Sequence, residues 1–197
     1  MSSGKRDIII QTAQQLFHQS GMGAVTMEEI ARVAGMGKST MYYYFKSKEE
    51  IFNAALEVEI NDIVLMTIKA ISSKDTLPEQ LLAFAMVKYE MSRKRKALYK
   101  VTETGMDSET LSKYIDIKKA NHHQYLIKEK TVMQQLLSGA IHRRELRALN
   151  KTEMDQAILI FLSSLRGINR EIILHGTDLE PADTIAAFCE LFYKGLR

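Results

Sequence analysis

Between residues 38 and 45 the chain sets Lys38, Ser39, Thr40, Tyr42, Tyr43 and Tyr44 around Met41 and Phe45. One ammonium, two hydroxyls and three phenols at this spacing suit the recognition of a nucleic-acid duplex. Hydroxyls donate to phosphate oxygens, phenol rings pack on sugars and thymine methyls, and a lysine neutralises a phosphate or reaches guanine. If the segment is a helix, Met41 and Phe45, four apart, turn inward together and leave the polar and phenolic groups on the outer arc. A soluble helix has little reason to show three tyrosines to water, whereas a groove gives them a surface to cover. Lys48, at the start of the following helix, can hold a phosphate beside free helix N–H groups, and Thr26 can do so from the other flank. The competing view makes the tyrosines core or dimer contacts and the lysines a solvated face. It is weakened because a capped helix, a glycine turn and flanking basic residues all fall in register.

The elements that must hold this segment are marked by their ends. Thr26-Met27-Glu28-Glu29 reads as a capping box with Val25 and Ile30 as a hydrophobic staple. Ala34-Gly35 then supplies a helix stop, since glycine takes the left-handed conformation at little cost. A second short helix leaves at a steep angle, which is the helix-turn-helix arrangement. Ile8, Ala13, Leu16 and Phe17 form the stripe of a supporting helix, and Leu16, Phe17, Ile30, Val33, Met41 and Phe45 make a small shared core. Further boxes at Ser47-Glu50 and Thr76-Glu79, a cap at Asp107 or Ser108, a cap at Thr152, and Glu180-Pro181 open the later helices. These signals predict helices over residues 5–20, 27–34, 38–45, 48–72, 78–96, 97–104, 109–141, 153–174 and 181–195, about nine in all. No segment shows strand alternation, so the chain is expected to be all-α.

The run from Val25 to Ile51 resembles the DNA-binding signature of the tetracycline-repressor (TetR) family. A threonine cap, an Ala-Gly turn, a Thr-hydrophobic-Tyr step, an aromatic pair and Lys46-Ser47-Lys48-Glu49 all stand at the family spacing. Gly37 replaces the usual serine, and Ser39 stands where glycine is frequent. The resemblance implies a reading helix carrying Lys38, Ser39, Thr40, Tyr42, Tyr43 and Tyr44, with Thr26 and Lys48 on phosphates. It implies a helix-turn-helix domain over residues 1–48 and a larger helical effector-binding and dimerisation domain over residues 49–197. The function implied is that of a homodimeric regulator, a repressor, which binds a palindromic operator on double-stranded DNA and is released by a small hydrophobic effector. The alternative is an activator or architectural DNA-binding protein with no small-molecule inducer.

The later helices suit those tasks. Met154, Ile158, Phe161, Leu165, Ile168 and Ile172 form one continuous helical stripe, and Leu159, Ile160, Leu162 and Ile173 lie off it, so this helix needs two burial partners. Ser163, Ser164 and Gly167 permit close approach. With Phe188 and Phe192 of the last helix, Ile158, Phe161, Leu165, Ile168 and Ile172 are the expected dimer interface. Residues 81–91 are apolar nearly all round, and eleven methionines favour adaptable packing. Phe84, Met86 and Tyr89, with His122 and Tyr125 about a turn apart on the long helix, are the expected effector pocket.

Composition bounds the remainder. The formal charge is only +3 over 197 residues, but residues 1–48 hold six Lys or Arg against three acids. The remaining residues balance, so the excess is N-terminal, as a phosphate-facing module requires. No apolar run approaches the ~20 residues of a membrane span, and no signal-peptide core is visible, so a cytoplasmic protein is expected. One cysteine, Cys189, excludes an intrachain disulfide and reads as a small buried apolar residue. Adjacent His122 and His123 point about 100° apart on a helix, poor metal geometry. No phosphate loop, nucleophile elbow or catalytic triad is legible, so the expectation is no enzyme, no cofactor and no metal.

Overall fold

The computed structural model describes the backbone of residues 4–102 and 106–197 and the side chains of residues 4–94 and 106–197. The described residues form eight α-helices and one π-helical turn, with no strand: α1 Lys5–Ala24, α2 Met27–Val33, α3 Lys38–Tyr44, α4 Lys48–Ser72, α5 Leu77–Thr102, α6 Ser108–His142, α7 Lys151–Arg170, the π-turn Glu171–His175, and α8 Pro181–Leu196. The all-α expectation is met, with three corrections. Gly21 is non-helical inside α1 at φ 78°, so the first helix bends just past its expected end. The expected break between Lys96 and Ala97 is absent, because no helix-stopping residue stands there and α5 continues to Thr102; the expected end at Thr104 lies outside the described residues. The cap of α7 is Asn150 rather than Thr152. The Asn150 carboxamide accepts from the Glu153 N–H at 2.9 Å while the Glu153 carboxylate accepts from the Asn150 N–H at 2.8 Å, a reciprocal box that leaves Thr152 inside the helix.

The chain divides into two compact units. The first comprises residues up to Asn61 together with residues 95–125; the second comprises residues 62–94 and 126–197. Helices α4, α5 and α6 therefore contribute to both.

In the first unit, Ile9, Ile10, Ala13 and Phe17 of α1 meet Ile30 and Ala31 of α2, Met41 of α3 and Ile51, Phe52 and Ala55 of α4. Phe52 takes the edge of Phe17 at 5.5 Å on one side and the ring of Tyr114 from α6 at 5.0 Å on the other. Tyr114 is only 1% exposed. One expected core member, Val33, is 49% exposed, and Ile8 of the expected α1 stripe is 36% exposed. In α1 the neighbouring Ile9 turns inward in place of Ile8, and in α2 Ile30 and Ala31 carry the buried face.

The second unit is built around Phe161 of α7. Its ring lies 5.9 Å from Phe84 of α5, 5.2 Å from Phe188 and 4.8 Å from Phe192 of α8. Met133, Leu137 and Ala140 of α6, with Leu77, Leu81 and Ile185, complete the core. Cys189 is buried here, and burial pushes its thiol pKa up to about 12, so it stays protonated and packs as an apolar side chain. This packing revises the expected interface stripe. Ile158, Phe161 and Leu165 are buried within the subunit, and Ile168, Ile172, Phe188 and Phe192 flank the same core half-buried. The apolar residues left outward on α7 and α8 are Leu159, Ile160 and Leu191, beside exposed Ser163, Gly167 and Ala187.

One buried polar group interrupts this core. Lys88 of α5 pairs with Glu129 of α6, both more than nine-tenths buried, and the Arg166 guanidinium of α7 stands 3.7 Å from the second carboxylate oxygen. One turn further on, the Asn169 carboxamide is buried with no hydrogen bond among the described residues. Removing one partner from such a pair is far costlier than replacing both, because it strands an uncompensated charge. Glu129→Leu should lower the unfolding free energy by about 3–5 kcal/mol, and adding Lys88→Met should restore a substantial part of that loss. Urea denaturation followed by circular dichroism measures both, and a single variant as stable as the parent would contradict the buried pairing.

Candidate nucleic-acid interface

The Thr26 hydroxyl accepts the Glu29 N–H at 3.1 Å and starts α2, while Val25 and Ile30 are fully buried beneath it. The helix ends in a Schellman motif. The Met36 N–H reaches the Ala31 carbonyl at 2.8 Å, the Gly35 N–H reaches Arg32 at 3.2 Å, and Gly35 sits at φ 65°. Only this left-handed step turns the chain quickly enough for Gly37 to open α3 four residues after α2 stops.

On α3, Met41 is fully buried and Phe45 4% exposed, so the inward pair is as the spacing predicts. Lys38, Ser39 and Tyr43 stand outward, Tyr43 at 77% exposure; Thr40, Tyr42 and Tyr44 are half-buried at the edges of the same arc. The Tyr43 and Tyr44 rings meet edge-on at 5.1 Å, which holds both phenols in one orientation. Arg6 lies over the Phe45 ring at 5.2 Å, adding a guanidinium at the C-terminal end of α3.

Lys38, Lys46 and Lys48 are each tied to a partner within this unit. The Lys38 ammonium binds the Glu28 carboxylate of α2 at 2.9 Å and lies 5.8 Å above the Tyr42 ring. The hydrogen bond from Lys38 holds the Glu28 carboxyl below its ordinary pKa, and the same bond raises that of Lys38. Lys46 donates to the Tyr42 carbonyl at 3.0 Å. The Lys48 ammonium donates to the Met22 carbonyl near the end of α1 at 2.7 Å; its partial burial lowers its pKa against the opposing pull of Glu49 and Asp107. Lys48 is thus first a strap between α1 and α4, with two of its three N–H groups left for other acceptors. Glu28, Arg6 and Met22 were not legible as members of this site. Glu28 reads in sequence as a first-turn acid of α2, and no periodicity links it to Lys38 across the turn.

The residues expected to form an effector pocket divide between the two units. Phe84 is buried in the core of the second, with Met86 and Tyr89 packed on its flank. His122 and Tyr125 belong to the first unit, where they line a cavity of about 340 Å³ with Leu56 and Ile60 of α4 and Ile115 of α6.

Residues 9–55 match the family model described as bacterial regulatory proteins, tetR family. Among curated relatives, the transcriptional regulator RutR of Escherichia coli K12 is 34% identical over 91 residues, covering 46% of this chain and 42% of RutR. The chain spans less than half the length of the curated relatives it first matches. Over the whole chain the fold is that of a transcriptional regulator from Cytophaga hutchinsonii, with a TM-score of 0.70 at 23% identity and coverage of 98% and 99% of the two chains. It is also that of the regulator FadR from Bacillus subtilis, solved in complex with stearoyl-CoA, with a TM-score of 0.60 at 18% identity and coverage of 96% and 98%. None of these relatives is described as an enzyme. The pairing of Lys38 with Glu28 makes a direct prediction. A phosphate must compete with that carboxylate, so Glu28→Gln should tighten binding to duplex DNA severalfold at low salt and steepen the salt dependence. Fluorescence anisotropy across a salt series tests it, and weaker binding by Glu28→Gln would show that Lys38 needs the carboxylate for its placement.

Proposed function

We propose that this chain, a member of the tetR family by its DNA-binding domain, is a homodimeric transcriptional repressor that binds a palindromic operator and is released by a small hydrophobic effector. The reading rests on one observation above all. Tyr43 stands 77% exposed on a seven-residue helix beside Lys38 and Ser39, while the other described aromatics of this unit are turned inward or to the edge. The functional division we assign is residues 1–48 for DNA reading and residues 49–197 for effector binding and dimerisation. As a regulator of genomic DNA it acts in the cytoplasm, and no helix among the described residues is long and apolar enough to cross a membrane.

A reading helix two turns long touches too few base pairs for specificity, so two copies must address half-sites one helical turn or a multiple of it apart. The outward Leu159, Ile160 and Leu191, interleaved with Ser163, Gly167 and Ala187, supply a surface on which two helices per subunit can pack closely. The half-buried Ile168, Ile172, Phe188 and Phe192 border it, with Ile158, Phe161 and Leu165 supporting it from beneath. Release by an effector follows if that ligand binds better to a form whose reading heads no longer match the operator spacing. The stearoyl-CoA held by FadR from Bacillus subtilis is the support for an apolar effector.

The deciding experiment selects fragments of the source genome on the purified protein and then screens small molecules for release of the complex. On the selected operator, Tyr43→Ala should weaken binding by roughly tenfold, in the range of one lost specific contact. Lys38→Ala should weaken it about equally across sequences, with a salt slope smaller by about one. If neither change moves affinity, α3 does not read the duplex. Leu191→Glu should shift the protein from dimer to monomer in sedimentation velocity, and an unchanged dimer would place the interface elsewhere.

A further inference from the structure

The cavity of about 340 Å³ in the first unit lies between α4 and the N-terminal half of α6. Its apolar lining is Leu56 and Ile60 of α4 with Ile115 of α6, Ile60 buried and Ile115 40% exposed. Its polar lining is Lys118, Lys119, Asn121, His122 and Tyr125. No aspartate or glutamate is among the described residues that line it. Asp116, which pairs with Lys119 at 3.9 Å, lies outside the lining. Asn121 closes the wall and is held in place, donating to the Asn53 Oδ1 at 2.7 Å and to the Ile117 carbonyl at 3.0 Å. A half-open volume in the range of small-molecule sites, lined by aliphatic and cationic side chains, favours one class of occupant.

We propose that this cavity binds a small amphipathic anion, an aliphatic body carrying a single carboxylate, with the body on Leu56, Ile60 and Ile115 and the carboxylate at Lys118 and Lys119. This deepens the regulator reading and rests on it for its biological meaning, because it names the chemical class of the effector. A ligand here also meets the core of the DNA-binding unit. The Lys118 ammonium lies over the Tyr114 ring at 4.7 Å, so a carboxylate at Lys118 competes with that ring for the cation. Tyr114 in turn packs on Phe52, and Phe52 on Phe17 of α1.

The test uses the full chain and two probes of matched length and opposite charge, decanoate and decyltrimethylammonium, below their micelle concentrations, in isothermal titration calorimetry. Decanoate should bind saturably at one site per protomer, at least roughly tenfold more tightly than the cation. Lys118→Glu with Lys119→Glu, both at the solvent edge, should weaken decanoate at least roughly tenfold and improve the cation. Lys113→Glu, on the same helix and outside the lining, should leave decanoate unchanged. Equal affinity for the two probes, no saturable decanoate binding, or indifference to the double reversal overturns the proposal. Operator binding by the same samples separates the two readings. Decanoate bound without any effect on the operator keeps the site and removes its regulatory role. An operator complex formed by a protein that ignores decanoate keeps the regulator and removes this site.

Discussion

The left-handed step at Gly35 is the constraint on which the reading surface depends. At φ 65° an L-residue with a Cβ is strained by roughly 1–2 kcal/mol, and nothing lies within 4 Å of the position such a Cβ would take. Glycine is therefore required by the backbone conformation and not by crowding. Without that step the Met36 N–H cannot return to the Ala31 carbonyl, α2 would run on past Ala34, and α3 would have no fixed direction. The inward placement of Met41 and Phe45, and with it the outward placement of Lys38, Ser39 and Tyr43, follows from this turn. The caps at Thr26 and Ser47 then limit how far either neighbouring helix can slide.

Charge around that surface is arranged with restraint. Lys38, Lys46 and Lys48 each have a partner of their own, a carboxylate in the first case and backbone carbonyls in the other two. Exposed ion pairs contribute little to stability, so the Glu28–Lys38 pair is better understood as holding a long side chain over the Tyr42 ring than as a strut. The free unit thereby presents fewer loose ammonium groups than its composition suggests. On the proposed reading, affinity for DNA is the balance of new ammonium–phosphate bonds against the internal bonds that must first break. The strap from Lys48 to Met22 is different in kind, because it is partly buried and joins the first turn of α4 to the end of α1.

The sequence carries the local rules of this structure more legibly than its long-range ones. Helix type, most helix ends and the facing of Met41 and Phe45 follow from caps, glycines and a spacing of four, all of which act within a turn or two. What was not legible is which side of an apolar helix meets its own core. In α7, Ile158, Phe161 and Leu165 look like an interface because they form the most continuous stripe; continuity in fact marks the subunit core, and the outward face is the broken set of Leu159, Ile160, Ser163 and Gly167. The same limit applies to the pocket. Phe84 and His122 are both plausible lining residues on neighbouring helices by sequence. Which compact unit each enters depends on where α5 and α6 pass from one unit to the other, and no local signal marks that point.

Tyr114 shows why the division at residue 48 describes chain order better than physical dependence. It lies on α6, well after the reading head ends, yet it is among the most buried side chains of that unit and completes the stack with Phe52 and Phe17. A unit built from α1 to α4 without α6 would expose the far side of Phe52 to water, and a buried aromatic of that size contributes about 1.5–3 kcal/mol through burial. The core of the unit that holds α1, α2 and α3 is therefore completed by a residue from beyond the proposed division at residue 48. Close-packed cores respond to a displaced ring by exchanging one packing for another, not by deforming smoothly. Since α6 holds that ring, whatever shifts α6 also changes the packing that positions α1 and α4. The ring that completes this core is thus carried by a helix that also runs through the second unit.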